Sequence, residues 1–173
     1  MDFKTKEKWY ALFVVTGEED IIKDRLNLKM RDGLRAVVPK RRLNERKHGR
    51  WQEKLRILFP GYILLNGCIQ NDSYDLFRGI PGVIRLLKDN DGPQQILQQE
   101  IENICRLTSD SEIIGYSKVC ISGGKVEVIE GPLCGMEGYI RSVDKRKGRA
   151  KVILNLMSEP RIVELGVTMV KPA

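Results

Sequence analysis

Apolar and polar positions along the first hundred residues follow the periods of strands and helices in turn. Residues 9–15 form an apolar run with the length and the aromatic and β-branched content of a strand. Ile22 and Leu26 then repeat at helical spacing. Thr16 stands three residues before Glu19, and this capping-box spacing predicts where that helix begins. The pattern therefore predicts one strand followed by one helix.

The same alternation continues to about residue 108. The predicted elements are, in order, a strand at 36–39, a basic hairpin at 40–56 with Gly49 at its tip, a buried strand at 62–65, a helix at 71–78 closed by Gly79, a strand at 83–87 and a helix opened by Pro93. The last helix places Leu97, Ile101, Ile104 and Cys105 on one face. The order predicts a small α/β sandwich in which helices back an antiparallel-dominated sheet.

The apolar period changes in the remaining third of the chain. Residues 108–118 lack periodicity and contain Ser, Asp and Gly, which is typical of a linker. After them, short strands of period two are predicted around 126–128, 138–143, 150–156 and 162–165, a spacing that favours a small SH3-like β-barrel. The predicted class is α+β, with an N-terminal domain at 1–107, a linker at 108–118 and a barrel domain at 119–173.

Charge and residue types narrow the possible functions. The net charge is +7, from 30 basic and 23 acidic residues, and both predicted domains are basic, which permits a polyanionic partner. The single histidine, His48, lies in a charged run, so His-based catalytic and metal sites are not expected. Gly123-Gly124-Lys125 lacks the strand–loop–helix context of a phosphate loop. We expect neither an enzyme nor a bound metal or cofactor.

The cysteine pattern and the first residues of the sequence indicate the cellular compartment. The four cysteines are scattered without paired spacing, and this favours small buried hydrophobes in a reducing cytosol over a zinc site. Residues 1–8 carry charges of both signs, unlike a signal peptide. No run approaches the roughly 20 apolar residues that span a bilayer. We expect a cytoplasmic monomer without membrane contact.

Two motifs carry functional information. In the first, Phe59-Pro60-Gly61-Tyr62, a rigid corner holds two aromatics at a strand edge. Such aromatics either anchor a partner helix or belong to the core. In the second, residues 126–138, three glycines mark sharp turns between alternating strands, and Asp144 follows six residues after Gly138.

These motifs together resemble the NusG family. The resemblance rests on Trp9-Tyr10, on the corner at 59–62, on Ile80-Pro81-Gly82-Val83, on the glycine pattern at 131–138 and on the final strands to Val170-Lys171. It covers nearly the whole chain, and the order of the motifs is more specific than any one of them. It implies that the first half is an NGN domain and the second half a KOW domain.

The resemblance also implies partners and binding residues. In this family the NGN domain binds the clamp helices of the largest subunit of bacterial RNA polymerase, bridges the cleft and suppresses pausing, and the KOW domain recruits a further partner. By position, Phe59 and Tyr62 belong to the apolar pocket for the clamp helices, with Phe13 and Phe77 as its walls. The residues expected to approach the opposite jaw of the cleft are Asn71, Asp72 and Ser73.

Departures from the housekeeping pattern point to a specialised member. The aromatic-Gly-Arg turn of housekeeping proteins is replaced by residues 156–161, LMSEPR, and the usual Gly-Pro-Phe reads Gly131-Pro132-Leu133. Both changes fall where housekeeping KOW domains meet ribosomal protein or Rho. The chain is therefore similar to the LoaP and RfaH antiterminators, which act on selected operons.

Two basic clusters complete the picture, each either a solvated face or a phosphate-binding surface. The cluster expected to face non-template DNA in the polymerase cleft is Lys40, Arg41, Arg42, Arg46, Lys47 and Arg50, with only Glu45 counted against it. The cluster expected to bind a nascent RNA hairpin is Arg141, Lys145, Arg146, Lys147, Arg149 and Lys151.

The sequence thus predicts a transcription elongation and processive antitermination factor that binds polymerase through NGN and nascent RNA through KOW. A housekeeping NusG that couples polymerase to Rho or the ribosome is the nearest alternative. A ribosome-associated KOW protein without polymerase affinity is the alternative from a different class. Binding of RNA by the barrel distinguishes the first two.

Overall fold

The computed structural model of the chain describes residues 7–30, 33–109 and 111–172. Its first helices and strands are, in order, β1 (Trp9–Val14), α1 (Glu19–Lys29), β2 (Leu34–Val37), β3 (Lys40–Lys47), β4 (Arg50–Ile57), β5 (Tyr62–Gly67), α2 (Asn71–Arg78), β6 (Val83–Leu86), β7 (Lys88–Asp89), β8 (Gly92–Pro93) and α3 (Gln98–Thr108). The later strands are β9 (Ile113–Ile114), β10 (Ser117–Ser122), β11 (Lys125–Glu130), β12 (Ile140–Asp144), β13 (Arg149–Leu156) and β14 (Glu159–Met169). The predicted α+β class is confirmed.

The described residues group into two compact units. The sheet unit contains residues 7–30, 33–38 and 59–102, and the barrel unit contains residues 39–58, 103–109 and 111–172. The basic hairpin β3–β4 thus belongs to the barrel unit, although it precedes β5 in the sequence. The domain bounds 1–107, 108–118 and 119–173 stay a prediction.

A four-stranded antiparallel sheet forms the centre of the sheet unit, in the order β2-β5-β1-β6. The interior strand β5 buries Ile63, Leu64 and Leu65, as its unbroken apolar run predicts. Ile22 and Leu26 of α1 are fully buried as well, which agrees with their helical spacing. The predicted strand–helix start of the chain is confirmed.

The start of α1 differs from the capping box predicted from Thr16 and Glu19. Glu18 is the N-cap residue, and it makes no side-chain cap hydrogen bond. The Glu19 carboxylate, only 1% exposed, instead accepts the Gly17 N–H at 2.9 Å and the Gly61 N–H at 3.0 Å. Glu19 therefore joins the start of α1 to the corner before β5.

The last predicted helix begins later than Pro93. Pro93 lies in the short strand β8, and the next residues run along β1, where the Ile96 N–H donates to the Trp9 carbonyl at 2.8 Å. Leu97, expected on the buried face, is therefore exposed, whereas Ile101 and Ile104 are buried as predicted. A pairing distant in sequence overrides the local signal of proline here.

The barrel unit contains a five-stranded sheet in the order β11-β10-β14-β13-β12, in which β10 and β14 are parallel and the other pairs antiparallel. Burial on β13 alternates as the period of two predicts, with Ala150, Val152 and Leu154 facing inward. The strand predicted from Gly138 starts only at Ile140, because Glu137–Tyr139 forms a 3₁₀ turn.

Gly131 shows why the glycine pattern of the second motif is needed. Its φ is +111°, and a Cβ there would lie 2.7 Å from the Tyr116 carbonyl oxygen. The neighbouring Ser117 hydroxyl accepts the Leu133 N–H at 3.0 Å, so the turn after β11 packs directly on the start of β10. A side chain at Gly131 would separate these two segments.

The segment predicted as a linker contains strand structure. Ile113–Ile114 pairs in parallel with Lys40 and Arg41 of the hairpin, forming a second sheet in the order β4-β3-β9. The next strand already begins at Ser117. The segment shows no apolar period because its paired strand is only two residues long, and the partner lies more than seventy residues earlier in the chain.

We predict that Glu19→Ala lowers the free energy of unfolding by about 1–3 kcal/mol, because it leaves a buried backbone N–H without an acceptor. Glu19→Gln keeps one carbonyl acceptor and is expected to cost less. Urea denaturation measures both, with Asp24→Ala as an exposed acidic control on the same helix. Equal stability of Glu19→Ala and Asp24→Ala would contradict this role.

Candidate nucleic-acid and protein interfaces

The corner at residues 59–62 is held against β1 by its backbone. Gly61 has φ +86°, and its carbonyl accepts the Val14 N–H at 2.9 Å while its own N–H reaches the Glu19 carboxylate. A Cβ at Gly61 would lie 3.1 Å from the Thr16 hydroxyl. The turn therefore requires glycine, and it fixes the position at which Tyr62 begins β5.

The aromatic residues predicted to bind the clamp helices divide into two pairs. Phe13 and Tyr62 are Cα partners on neighbouring strands, and their half-buried rings meet edge to face with centroids 5.5 Å apart. Phe59 and Phe77 are each only 3% exposed. The core alternative left open for the motif therefore fits Phe59, whereas Phe13 and Tyr62 offer accessible ring surface.

A surface cleft of about 150 Å³ adjoins this part of the sheet. Its lining combines apolar side chains with cations, and Ile84 within it is half exposed. The apolar members include Phe77, and the basic members are Arg78, Arg85 and Lys88. Arg85 lines the cleft and is also the Cα partner of Phe13. The cleft and the Phe13–Tyr62 pair are thus neighbours, although the sequence motif pointed to neither Ile84 nor Arg85.

The polar residues predicted to approach the opposite jaw form the first turn of α2. Asn71 and Asp72 are exposed, and the position of Asp72 suits the positive end of the helix dipole. Ser73 has a structural task, since its hydroxyl accepts the Gln70 N–H at 3.1 Å in a capping box. Ser73 is therefore part of the helix cap, whereas the Asn71 and Asp72 side chains lie outside it.

The basic hairpin β3–β4 uses part of its charge internally. Arg41 donates to the Ile57 carbonyl at 2.9 Å, and burial lowers the pKa of its guanidinium. Arg42 forms an ion pair with Glu53 at 2.7 Å. The prediction that Glu45 is the only carboxylate close to these cations was therefore wrong, because Glu53 on strand β4 also neutralises one of them.

Glu45 is likewise paired within the hairpin. Arg56 donates to both of its carboxylate oxygens, at 2.7 and 2.6 Å, and these hydrogen bonds lower the pKa of Glu45. Lys40, at the base, is half-buried. The exposed cations of the cluster are those around the His48-Gly49 turn, namely Arg46, Lys47 and Arg50.

The second basic cluster surrounds the turn between β12 and β13. The Asp144 carboxylate accepts the Lys147 N–H at 2.9 Å, and this backbone hydrogen bond lowers the pKa of Asp144. The Asp144 carbonyl accepts the Gly148 N–H, which closes the turn. The exposed cations here are Arg141, Lys145, Arg146, Lys147 and Lys151.

Arg149 differs from the other members of its cluster. Its guanidinium pairs with Glu164 at 2.8 Å and donates to the Asn44 carbonyl of the hairpin at 3.3 Å. The Tyr116 hydroxyl also contacts the Asn44 amide oxygen, at 3.2 Å. Arg149 therefore holds the hairpin to the barrel, and it offers little of its charge to an outside phosphate.

The hairpin meets the barrel through the free edge of β3. Among the described residues no strand pairs with that edge beyond Arg41, and the Arg42 carbonyl oxygen would lie 2.6 Å from a Cβ placed on Gly166. Gly166 is therefore needed for close approach of the two backbones. The contact keeps both exposed basic clusters within one compact unit.

The cysteines do not share the buried environment predicted for them. Cys120 is buried, but Cys68 and Cys134 are exposed and Cys105 is half-buried. Among the described residues, no group of three or more His, Cys, Asp or Glu side chains is arranged to hold a metal ion. No helix in the described part of the chain has the length and apolar character to cross a membrane.

Known proteins resemble this chain over nearly its full length. A family model described as transcription termination factor nusG matches residues 7–105. The transcription termination/antitermination protein NusG of Rickettsia bellii (strain RML369-C) is 31% identical over 174 residues, covering 97% of this chain and 91% of that protein. NusG of Bacillus subtilis (strain 168) is 28% identical over 177 residues, covering 95% and 98%.

A solved structure shares the fold. The structure titled "Domain interaction in Thermotoga maritima NusG" matches with a TM-score of 0.60 and 21% identity over 93% of this chain and 94% of that one. The matches define a transcription factor of the NusG type, a class without enzymatic activity. The chain belongs to the NusG family.

We predict that Phe59→Ala lowers the free energy of unfolding by about 3–5 kcal/mol, because it empties a buried site. Tyr62→Ala is expected to lower it by less, since that side chain is only partly buried. Urea denaturation of both variants measures the difference. A smaller loss for Phe59→Ala than for Tyr62→Ala would show that Tyr62, and not Phe59, is the core residue.

Proposed function

We propose that this NusG-family chain is a processive antitermination factor that acts as a monomer in the cytoplasm and binds RNA polymerase and nascent RNA at once. The proposed RNA binding rests on the exposed cations of the turn at residues 144–148. Three consecutive cations, Lys145 to Lys147, are exposed there, and the only carboxylate of the turn is engaged by the backbone. Cations presented in this way on a hairpin suit the phosphates of structured RNA.

The flanking strands extend this surface. Arg141 on β12 and Lys151 on β13 are exposed beside the turn. Lys151 is the Cα partner of Glu164, but that carboxylate pairs with Arg149 instead. Engagement of Glu164 and Asp144 within the protein supports a net positive RNA-binding surface around the turn.

Polymerase binding is proposed for the Phe13–Tyr62 pair and the adjoining cleft. Partly exposed ring surface beside a small cleft with apolar and basic lining suits a partner helix that has an apolar side flanked by acidic residues. Phe59 and Phe77 support this surface from within. Asn71 and Asp72 of α2 would meet the opposite jaw of the polymerase cleft, and the exposed tip of the β3–β4 hairpin would face non-template DNA.

The turn between β13 and β14 supports a specialised rather than a housekeeping role. Met157 and Ser158 both have positive φ, at 55° and 63°, where the housekeeping pattern carries glycine in an aromatic-Gly-Arg turn. The chain thus keeps a tight two-residue turn while lacking the aromatic ring. Contacts that housekeeping KOW domains make through that turn are therefore not expected of this one.

We predict that charge reversal at the turn (Lys145→Glu, Arg146→Glu and Lys147→Glu) removes binding of structured leader RNA from the same genome. Each lost phosphate contact should also lower the slope of log affinity against log salt by about 0.7. Filter binding at several salt concentrations measures both effects. Because all three side chains are exposed, the melting temperature should hardly change.

The matched control is Lys118→Glu, Lys125→Glu and Lys171→Glu, which makes the same charge change at exposed positions elsewhere in the barrel unit. This control should retain RNA binding, and the turn variant should also lose antitermination in transcription assays. Equal losses in both variants, or equal affinity for a scrambled RNA, would reduce the turn to a nonspecific basic patch. The housekeeping alternative would then be favoured.

For the polymerase, we predict that Tyr62→Ala weakens binding of the clamp helices by about 30-fold, corresponding to about 2 kcal/mol for an interface anchor. Pull-down and titration with the isolated clamp-helix segment measure it. Leu28→Ala, at a fully exposed apolar residue of α1, should leave binding unchanged. Unchanged affinity of Tyr62→Ala would remove this surface from the proposal.

A further inference from the structure

The basic hairpin presents an exposed tryptophan that neither the family motifs nor the proposed RNA surface uses. The chain has two tryptophans. Trp9 is a core residue with 1% of its surface exposed, whereas Trp51, at the start of β4, is 52% exposed. An indole ring left half in water beside a hairpin tip carries a large apolar surface available to a ligand.

Three exposed cations lie near this ring, Arg46 on its own face of the hairpin and Lys47 and Arg50 on the opposite face beside the turn. Trp51 is the Cα partner of Arg46, so both side chains lie on the same face of the hairpin, and Arg50 pairs with Lys47 next to the turn. The stretch from Arg46 to Gln52 contains no carboxylate. The local field around the indole is therefore positive, and it favours a polyanion.

The nearest carboxylates do not cancel this field. Glu45 is bonded to Arg56, and Glu53 is bonded to Arg42. The Glu53–Arg42 pair also separates Trp51 from Leu55, the next exposed apolar side chain on the same face. Because no continuous apolar patch joins them, the face suits a single aromatic ligand group better than an apolar protein surface.

The part of the hairpin nearest the barrel is held in place a few residues before this ring. Leu43 is buried, and Asn44 contacts both Tyr116 and Arg149. The Arg46–Trp51 pair lies two residues further toward the tip. A ring held on a strand with an anchored base loses little conformational freedom when a ligand stacks on it.

We propose that Trp51 stacks on an unpaired base of single-stranded nucleic acid, while Arg46, Lys47 and Arg50 contact the flanking phosphates. Base stacking on an aromatic side chain combined with basic contacts to the backbone is the usual means of binding single strands with little sequence preference. Bases within a duplex are stacked on each other, so the site would distinguish single strands from duplexes. This inference deepens the proposed role of the hairpin tip.

The test uses tryptophan fluorescence of the full chain, because stacking quenches an indole and Trp9 is shielded in the core. The protein is titrated in three separate experiments with oligothymidylate, with oligouridylate and with a DNA duplex of equal length. Each is about 12 nucleotides long, which is in the range bound by single-strand-binding modules. We expect quenching by a single strand, little by the duplex, and none in Trp51→Phe, where only Trp9 emits. The two single-stranded arms show whether DNA, RNA or both are bound.

Affinity is measured in parallel with labelled oligonucleotides. Trp51→Ala should weaken single-strand binding about 5- to 150-fold, which corresponds to the loss of one stacked base at about 1–3 kcal/mol. Trp51→Phe should lose less, because a phenyl ring still stacks. Leu55→Ala, an equally exposed apolar residue on the same strand, is the matched control and should bind like the wild type.

The proposal would be overturned by equal quenching with single strand and duplex, or by Trp51→Ala binding both as the wild type does. Loss of clamp-helix binding in Trp51→Ala with single-strand binding intact would assign the ring to a protein contact and would also refute it. RNA-hairpin binding by the turn at 144–148 is measured separately with the charge-reversal variants. Failure at Trp51 is therefore distinguishable from failure of the proposed function.

Discussion

The hydrogen bonds of the buried Glu19 carboxylate are the interaction on which the position of the Phe13–Tyr62 pair in the sheet unit depends. The carboxylate accepts backbone N–H groups from the start of α1 and from Gly61, forty-two residues later. A carboxylate excluded from water is tolerated only where such donors compensate its lost hydration. Because Gly61 directly precedes Tyr62, the same hydrogen bonds fix where β5 begins and which residue of β1 the Tyr62 ring meets.

The barrel unit shows a comparable separation between residues that hold the fold and residues left for ligands. Among the hairpin cations, Arg41 and Arg42 are occupied by a backbone carbonyl and by Glu53, whereas those at the tip are exposed. Around the β12–β13 turn, Arg149 is occupied and its neighbours are exposed. In the hairpin the engaged cations lie toward the body of the unit and the exposed ones lie at the turn, whereas in the second cluster Arg149 is engaged directly beside the turn.

The sequence predicted what depends on local pattern and missed what depends on distant partners. Strand and helix periods, the Phe59–Tyr62 corner and the glycine turn at Gly131 are local, and the structure contains each of them. The helix start at Pro93 was wrong because Gln95 and Ile96 pair with β1. The function of Glu19 was missed for the same reason, since its spacing from Thr16 matched a capping box while its acceptor role requires Gly61.

The candidate site obeys the same limit. Composition identified both basic clusters, but charge along the chain does not reveal which cations are already paired. Arg149 and Asn44 are 105 residues apart, so no local pattern connects them. Their contact shows that Arg149 is engaged within the barrel unit, and that the hairpin is a fixed part of this unit. The exposed Trp51 ring is a candidate binding residue because the foot of its hairpin is anchored and the nearby carboxylates are paired. Only the folded arrangement shows both conditions.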